Sequence, residues 1–168
     1  MVIDEVELLL ALLNSRPVVD GIERDELGED EAGRAWATAR GGVGTSAELH
    51  RLRWVRERLT EVALGRRPAS ALADALDGVR QRPVLDDSGL SWELVAGADE
   101  LLPARAVLGW ARVTERLPGR LRPCGNEECR LFLLDRSKAN RARWCSMATC
   151  GNRMKARRHY ERHRSADG

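Results

Sequence analysis

Cysteine is missing from the first 123 residues of this 168-residue chain, and lysine from the first 137. The N-terminal region therefore has no thiol to offer a metal or an electrophile, and His50 is its only histidine. It also lacks a glycine-rich phosphate loop: Gly41 to Gly44 (GGVG) has neither the preceding strand nor the lysine such a loop needs. No catalytic constellation is legible there, and the chain is expected not to be an enzyme. Long apolar runs are lacking too. The longest, Leu8 to Leu13, is far short of the roughly 20 residues that cross a bilayer, and no basic segment precedes it as in a signal peptide. With 43% apolar residues and a mean hydropathy of −0.42, the chain reads as a soluble cytoplasmic protein without a membrane partner.

Net charge is only +2, but it is unevenly placed. Residues 1–119 carry 15 arginines against 21 acids, a balance of −6, whereas residues 120–168 carry 13 cations against 5 acids, a balance of +8. Only two of the 28 cations are lysines, a bias that leaves any single arginine with little weight as a signal. Both lysines, Lys138 and Lys155, lie in the basic part.

The expected fold is mostly α with a small β-hairpin (α+β): a helical domain over 1–118, a linker over 119–123, and a four-cysteine zinc module over 124–164. Asp4, with Glu7 three residues on, predicts a helix start before VELLLALLN, and Pro17 follows its end. A second helix is expected over Asp30 to Arg40, stopped by Gly41-Gly42. Thr45-Ser46-Ala47-Glu48 has capping-box spacing and opens a third helix, with Leu49, Leu52, Leu59 and Ala63 inward and Arg51, Arg53, Arg58 and Glu61 outward. A short helix over Ala69 to Leu76 precedes a hairpin around Asp87-Ser88-Gly89, and a last long helix runs from Asp99 toward Leu117. The acidic stretch Glu23 to Glu31 reads as a solvated helix start. Asn14 and Arg16 either line a pocket or cap the first helix, with the cap favoured.

All four cysteines fall within 27 positions, as Cys124-GNEE-Cys129, fifteen residues, then Cys145-SMAT-Cys150. In a reducing compartment such clustering points to metal before disulfides, and two close pairs around a hairpin-sized insert suit one tetrahedral zinc ion with four thiolate ligands; an iron site or redox thiols are the alternatives, disfavoured because such pairs are usually spaced by two residues and not four. In this reading Leu131 to Leu134 forms one strand and Ala142 to Trp144 returns as the other. The helix after Cys150 then completes a treble-clef-like module with Phe132, Leu134, Trp144 and Met154 as its core. Some 45 residues with so few apolar side chains depend on the metal to fold. His159 and His163, at i and i+4, read as surface residues rather than a second metal site.

Two groups of residues, Trp144-Cys145-Ser146-Met147 and Cys150-Gly151-Asn152-Arg153, continued by Lys155-Ala156-Arg157-Arg158-His159, resemble the signature of the CGNR zinc-finger family. Cys124, Cys129, Phe132, Asp135, Ser137 and Arg141 are similar as well. In that family the finger follows a domain called ABATE, associated with stress-induced transcription regulation. LLNSRP (Leu12 to Pro17), the arginine-rich middle helix and SGLSWELV (Ser88 to Val95) resemble that domain. The resemblance implies a bacterial DNA-binding transcription regulator.

The residues support the same expectation by charge. Arg153, Lys155, Arg157, Arg158, Arg162 and Arg164 face only Glu161 along the terminal helix, and Arg141 and Arg143 add a cationic edge from the insert. A helix so charged finds a natural counterion in the phosphates of double-stranded DNA. Asn152 reads as a cap of the metal loop rather than a base contact. The expected partners further include a second copy of the chain and a small-molecule or protein effector of the N-terminal domain. The alternative is an interaction adaptor, in which the module is structural or docks on a protein and several arginines pair with the acidic N-terminal domain.

Overall fold

A computed structural model describes residues 4–19 and 21–157. Its helices begin where local chemistry satisfies their first amides. Helix α1 (Glu5–Leu13) starts at Asp4, whose Oδ1 accepts from the amides of Val6 at 2.9 Å and Glu7 at 3.4 Å. Helix α2 (Asp30–Thr38) stops two residues short of the expected end. Gly42 donates back to the Ala37 carbonyl, and Arg40 folds over the Trp36 ring at 3.9 Å. Helix α3 (Ser46–Ala63) is capped by Thr45 Oγ1, which accepts from the Glu48 amide at 3.0 Å. The Glu48 carboxylate turns elsewhere. Fully buried, it accepts from the amides of Val43 at 3.2 Å and Gly44 at 2.7 Å. A Cβ at Gly42 would stand 2.5 Å from Glu48 Oε1, so this glycine lets the loop wrap the carboxylate, whereas Gly41 and Gly44 serve positive φ.

A 3-10 segment, Ala69–Leu76, leads to the antiparallel hairpin β3 (Arg80–Asp86) and β4 (Gly89–Val95), closed at Asp87-Ser88. Helix α4 (Ala98–Arg116) then packs across α1 and α3, tolerating Pro103 near its start. Its Gly109 lets α4 approach α1 closely: a Cβ there would lie 2.1 Å from the Glu5 carbonyl oxygen. The shared core gathers Leu8, Leu9 and Leu12 of α1, Leu52, Val55 and Leu59 of α3, and Leu102 and Val107 of α4. Mostly helical architecture with small antiparallel strand pairs is thus as expected.

Three features differ from the sequence-based reading. A two-residue ladder, β1 (Val18–Val19) with β2 (Ile22–Glu23), turns through Gly21 and is too short to carry any periodicity. The segment read as a linker contains strand β5 (Leu121–Pro123), and it is β5, not 142–144, that pairs with β6 (Phe132–Leu134). The first cysteine pair consequently sits at the tip of the β5–β6 hairpin rather than before it. Finally, residues expected to form the module's own core pack on the helical domain. Phe132 belongs to the main hydrophobic cluster, and Leu121 and Leu134 pack against it.

Candidate metal centre

The β5–β6 hairpin and the terminal helix bring the two cysteine pairs together. Cys124 continues from β5, and its amide donates to Leu131 O at 2.8 Å, just before β6, so the four intervening residues form a tight loop. Cys145 precedes a π-helical turn, Met147–Gly151, that runs on as helix over 152–157. Helical structure therefore begins before Cys150 rather than after it. Cys150 lies within the opening turn, close to the amides left without helical partners.

The four Sγ atoms lie within 4.8 Å of one another, with Cys129 to Cys145 and Cys145 to Cys150 both at 3.7 Å. A tetrahedral zinc–thiolate site with bonds of about 2.3 Å places its sulfurs about 3.8 Å apart, so the donor set fits one zinc ion held by four thiolates. Cys124 and Cys150 are buried, Cys129 and Cys145 half-buried, and none is in a disulfide. Four protein sulfurs close the coordination shell, which makes this a structural centre; bound zinc supplies cross-linking energy to the module.

Burial weighs on these thiols unequally. Burial pushes Cys129 up to about 11 and Cys145 higher still, reinforced at Cys145 by its thiol neighbours. Burial opposes ionisation of Cys150 as well, but hydrogen bonding led by Asn126 Nδ2, 3.6 Å from its Sγ, lowers that thiol below its ordinary value. The Cys145 amide donates to Cys124 Sγ at 3.4 Å.

Asn126 is the functional residue that the sequence reading missed. It is buried, its Oδ1 accepts from the Glu128 amide at 3.3 Å and its carbonyl from the Cys129 amide at 2.8 Å. The metal-loop role expected of Asn152 falls to Asn126; Asn152 is exposed, and its Nδ2 donates to the Ala148 carbonyl at 3.4 Å. A signal was available, because Cys-Gly-Asn occurs twice, at 124–126 and 150–152. The two glycines flank one ring. A Cβ at Gly125 or Gly151 would stand 3.3 Å from an atom of Trp144, which lies between the two cysteine loops.

The insert is tied by one buried acid. Asp135 accepts through Oδ1 from the Ser137 amide and through Oδ2 from the Ala142 amide, each at 2.8 Å, and pairs with Arg122 at 2.9 Å. The Ser137 bond, working against desolvation and aided by Ala142 and Arg122, holds its carboxyl below the ordinary carboxylate value. Of the expected core, Phe132 is buried, whereas Leu134, Trp144 and Met154 are half-buried.

The module also docks on the helical domain through Asn14, 118 residues away in sequence. Asn14 Nδ2 donates to the Phe132 carbonyl at 3.1 Å, and its Oδ1 accepts from the Phe132 amide at 2.7 Å. The side chain thereby imitates one rung of a sheet along β6. The cap expected of Asn14 is made by its backbone amide, which donates to Leu10 O; its side chain does something else. Arg130 of the module pairs with Glu23 of the helical domain.

Of the expected nucleic-acid contacts, Arg141, Arg143, Arg153 and Lys155 are exposed around the centre, and Arg143 lies 5.4 Å over the Trp144 ring. Arg157 is exposed but pairs with Glu128 at 3.6 Å. Arg158, Arg162 and Arg164 lie outside the described residues, as do His159 and His163. No described helix is long and apolar enough to cross a membrane. No curated protein matches the chain. Residues 120–163 match the family model of the CGNR zinc finger, and with the four-thiolate geometry this makes the C-terminal part of the chain a zinc-finger domain.

Proposed function

We propose that this chain is a zinc-dependent DNA-binding protein acting in transcription regulation, with its finger set against the phosphate backbone. One observation carries the reading. Arg141, Arg153 and Lys155 stand exposed around the metal centre with no carboxylate partner among the described residues, while two of the module's acids are occupied, Asp135 by Arg122 and Glu128 by Arg157. Cations left unpaired on a rigid support are what a polyanion recruits, and a metal-anchored helix holds Arg153 and Lys155 in register along a groove. The ABATE-like character of the helical domain and a role in stress responses belong to this proposal, as does residence at the nucleoid; no catalytic step does.

Zinc-loaded protein titrated into labelled random duplex DNA at several salt concentrations tests it. Affinity is expected to fall steeply with log salt, and an Arg153→Glu/Lys155→Glu variant that keeps its zinc should lose both affinity and slope. Absence of binding even at low salt would sink the reading in favour of the adaptor. Incubation of the same duplex with Mg²⁺ should leave it uncut. A homodimer is part of the proposal: the β3–β4 hairpin exposes Leu85, Leu90 and Trp92, an apolar group that a second copy would cover. Sedimentation should report a dimer that Leu90→Asp converts to monomer.

A further inference from the structure

Where the zinc finger meets the helical domain, the two do not close on each other. A cleft of about 740 Å³ runs between the C-terminal half of α3 and the β5–β6 hairpin, a volume suited to a small organic ligand. Its chemistry is lopsided. Six arginines line it: Arg16, Arg56, Arg58, Arg66, Arg67 and Arg130. The acids that line it, Glu57 and Glu61, and those that pair with its arginines, Asp25 and Glu23, number four.

Most of these charges are already engaged. Arg56, 4% exposed, donates to Ser15 Oγ at 2.9 Å and to both oxygens of Asp25, at 2.5 and 2.8 Å. Asp25 is shared with Arg16, Arg16 with Glu23, and Glu23 with Arg130 of the finger, so an alternating relay crosses from one region to the other. Arg66 pairs with Glu61. Arg58 and Arg67 have no carboxylate partner among the described residues; Arg58 rests 5.5 Å over the Trp54 ring. The relay thus forms a preorganised floor, and outside these pairs Arg58 and Arg67 stand against one lining acid, Glu57, a balance of +1. Leu13, Leu64 and Phe132 supply an apolar wall.

We propose that this cleft binds a small organic anion, an apolar body carrying a carboxylate or phosphate head, with the head at Arg58 and Arg67 and the body against Leu13, Leu64 and Phe132. Guanidinium groups suit either head group, since both present paired oxygens to a planar fork of donors. A ligand so placed touches α3 and the finger at once, and its binding free energy stabilises their relative position. This assignment does not rest on the finger contacting DNA.

The test uses full-length zinc-loaded protein at constant ionic strength, titrated with phenyl phosphate, benzoate and inorganic phosphate. At least one of the two organic anions should raise the unfolding temperature saturably and more than inorganic phosphate does. It should also slow amide exchange on both walls, over 56–67 and over 123–132. Arg58→Gln/Arg67→Gln should lower its affinity by about tenfold or more, the scale of one lost charged hydrogen bond. If the double variant is unstable, Arg67→Gln alone, at an exposed loop residue, serves instead. No saturable response to any of the three probes, protection of one wall only, or an unchanged response in the variant would overturn the assignment. Should the variant weaken duplex DNA binding while neither organic anion binds, the cleft is part of a polyanion surface and the small-ligand assignment fails.

Discussion

The two halves of this chain meet the cost of ordering their backbone in different ways. The helical domain has a large core in which α1, α3 and α4 bury leucines against one another. The cysteine module has two fully committed apolar side chains, Phe132 and Leu133, and otherwise relies on sulfur, hydrogen bonds and one buried acid. Phe132 is spent on the neighbour's core rather than on the module's own. A segment this small cannot offset its chain entropy by burial, so the metal must supply the difference. The comparison teaches that one chain can be cooperative in one part and conditional in another.

Removing the metal should have the largest effect. Structural zinc contributes about 10 kcal/mol or more to folding in small finger peptides. Chelation, or Cys150→Ser, is expected to abolish exchange protection over 121–151 while 46–63 keeps its own. Loss of protection in both regions would show that Phe132 and Asn14 weld them into one unit. Zinc analysis should return one ion per chain.

Next comes Arg56→Ala, which removes two hydrogen bonds from Asp25 and one from Ser15 Oγ while Arg16 stays with Asp25. Deleting one partner of a fully buried pair costs about 3–5 kcal/mol; with Arg16 remaining and Asp25 23% exposed, the loss should be about 3 kcal/mol or less, read as a shift in urea unfolding while zinc stoichiometry stays at one. Asn14→Ala sharpens the comparison at its seam. It leaves the amide and carbonyl of Phe132 unpaired, an expected loss of about 1–3 kcal/mol, and hydrogen exchange at β6 should rise more than at α3.

The smallest effect is electrostatic. Burial opposes ionisation of Asp25, but its hydrogen bonds to Arg56 and Leu27 and the nearby Arg16 charge lower its pKa from 3.8 to about 2. Its contribution, about 2 kcal/mol at most, is therefore present above 3.8 and is lost as pH falls through about 2. Asp25→Asn should flatten that acid limb of the stability curve. Because thiolates take up protons and release zinc on acidification, the module should unfold before the helical domain reaches this range.

Much of this was legible from residues close together in the chain. Asp4 and Thr45 announce helix starts through hydrogen bonds spanning two or three residues, and Cys124, Cys129, Cys145 and Cys150 declare a tetrahedral site by spacing alone. Illegible were contacts whose partners are far apart. Nothing near Arg56 in the chain marks it for burial, because its partner Asp25 lies 31 residues away. Asn14 looked like a helix cap, since only the packed structure brings Phe132 within reach.

What the sequence determined by itself is the metal chemistry, the starts of α1 and α3, and the separation of charge between the two ends, all of which follow from residue type and short-range spacing. Only the tertiary structure decided that β5 pairs with β6, that Asn126 rather than Asn152 serves the sulfurs, and that an arginine-lined cleft opens between finger and helices. Strand partners, shared hydrogen bonds and clefts are set by which surfaces exclude water together, a property of the folded chain and not of any stretch of it.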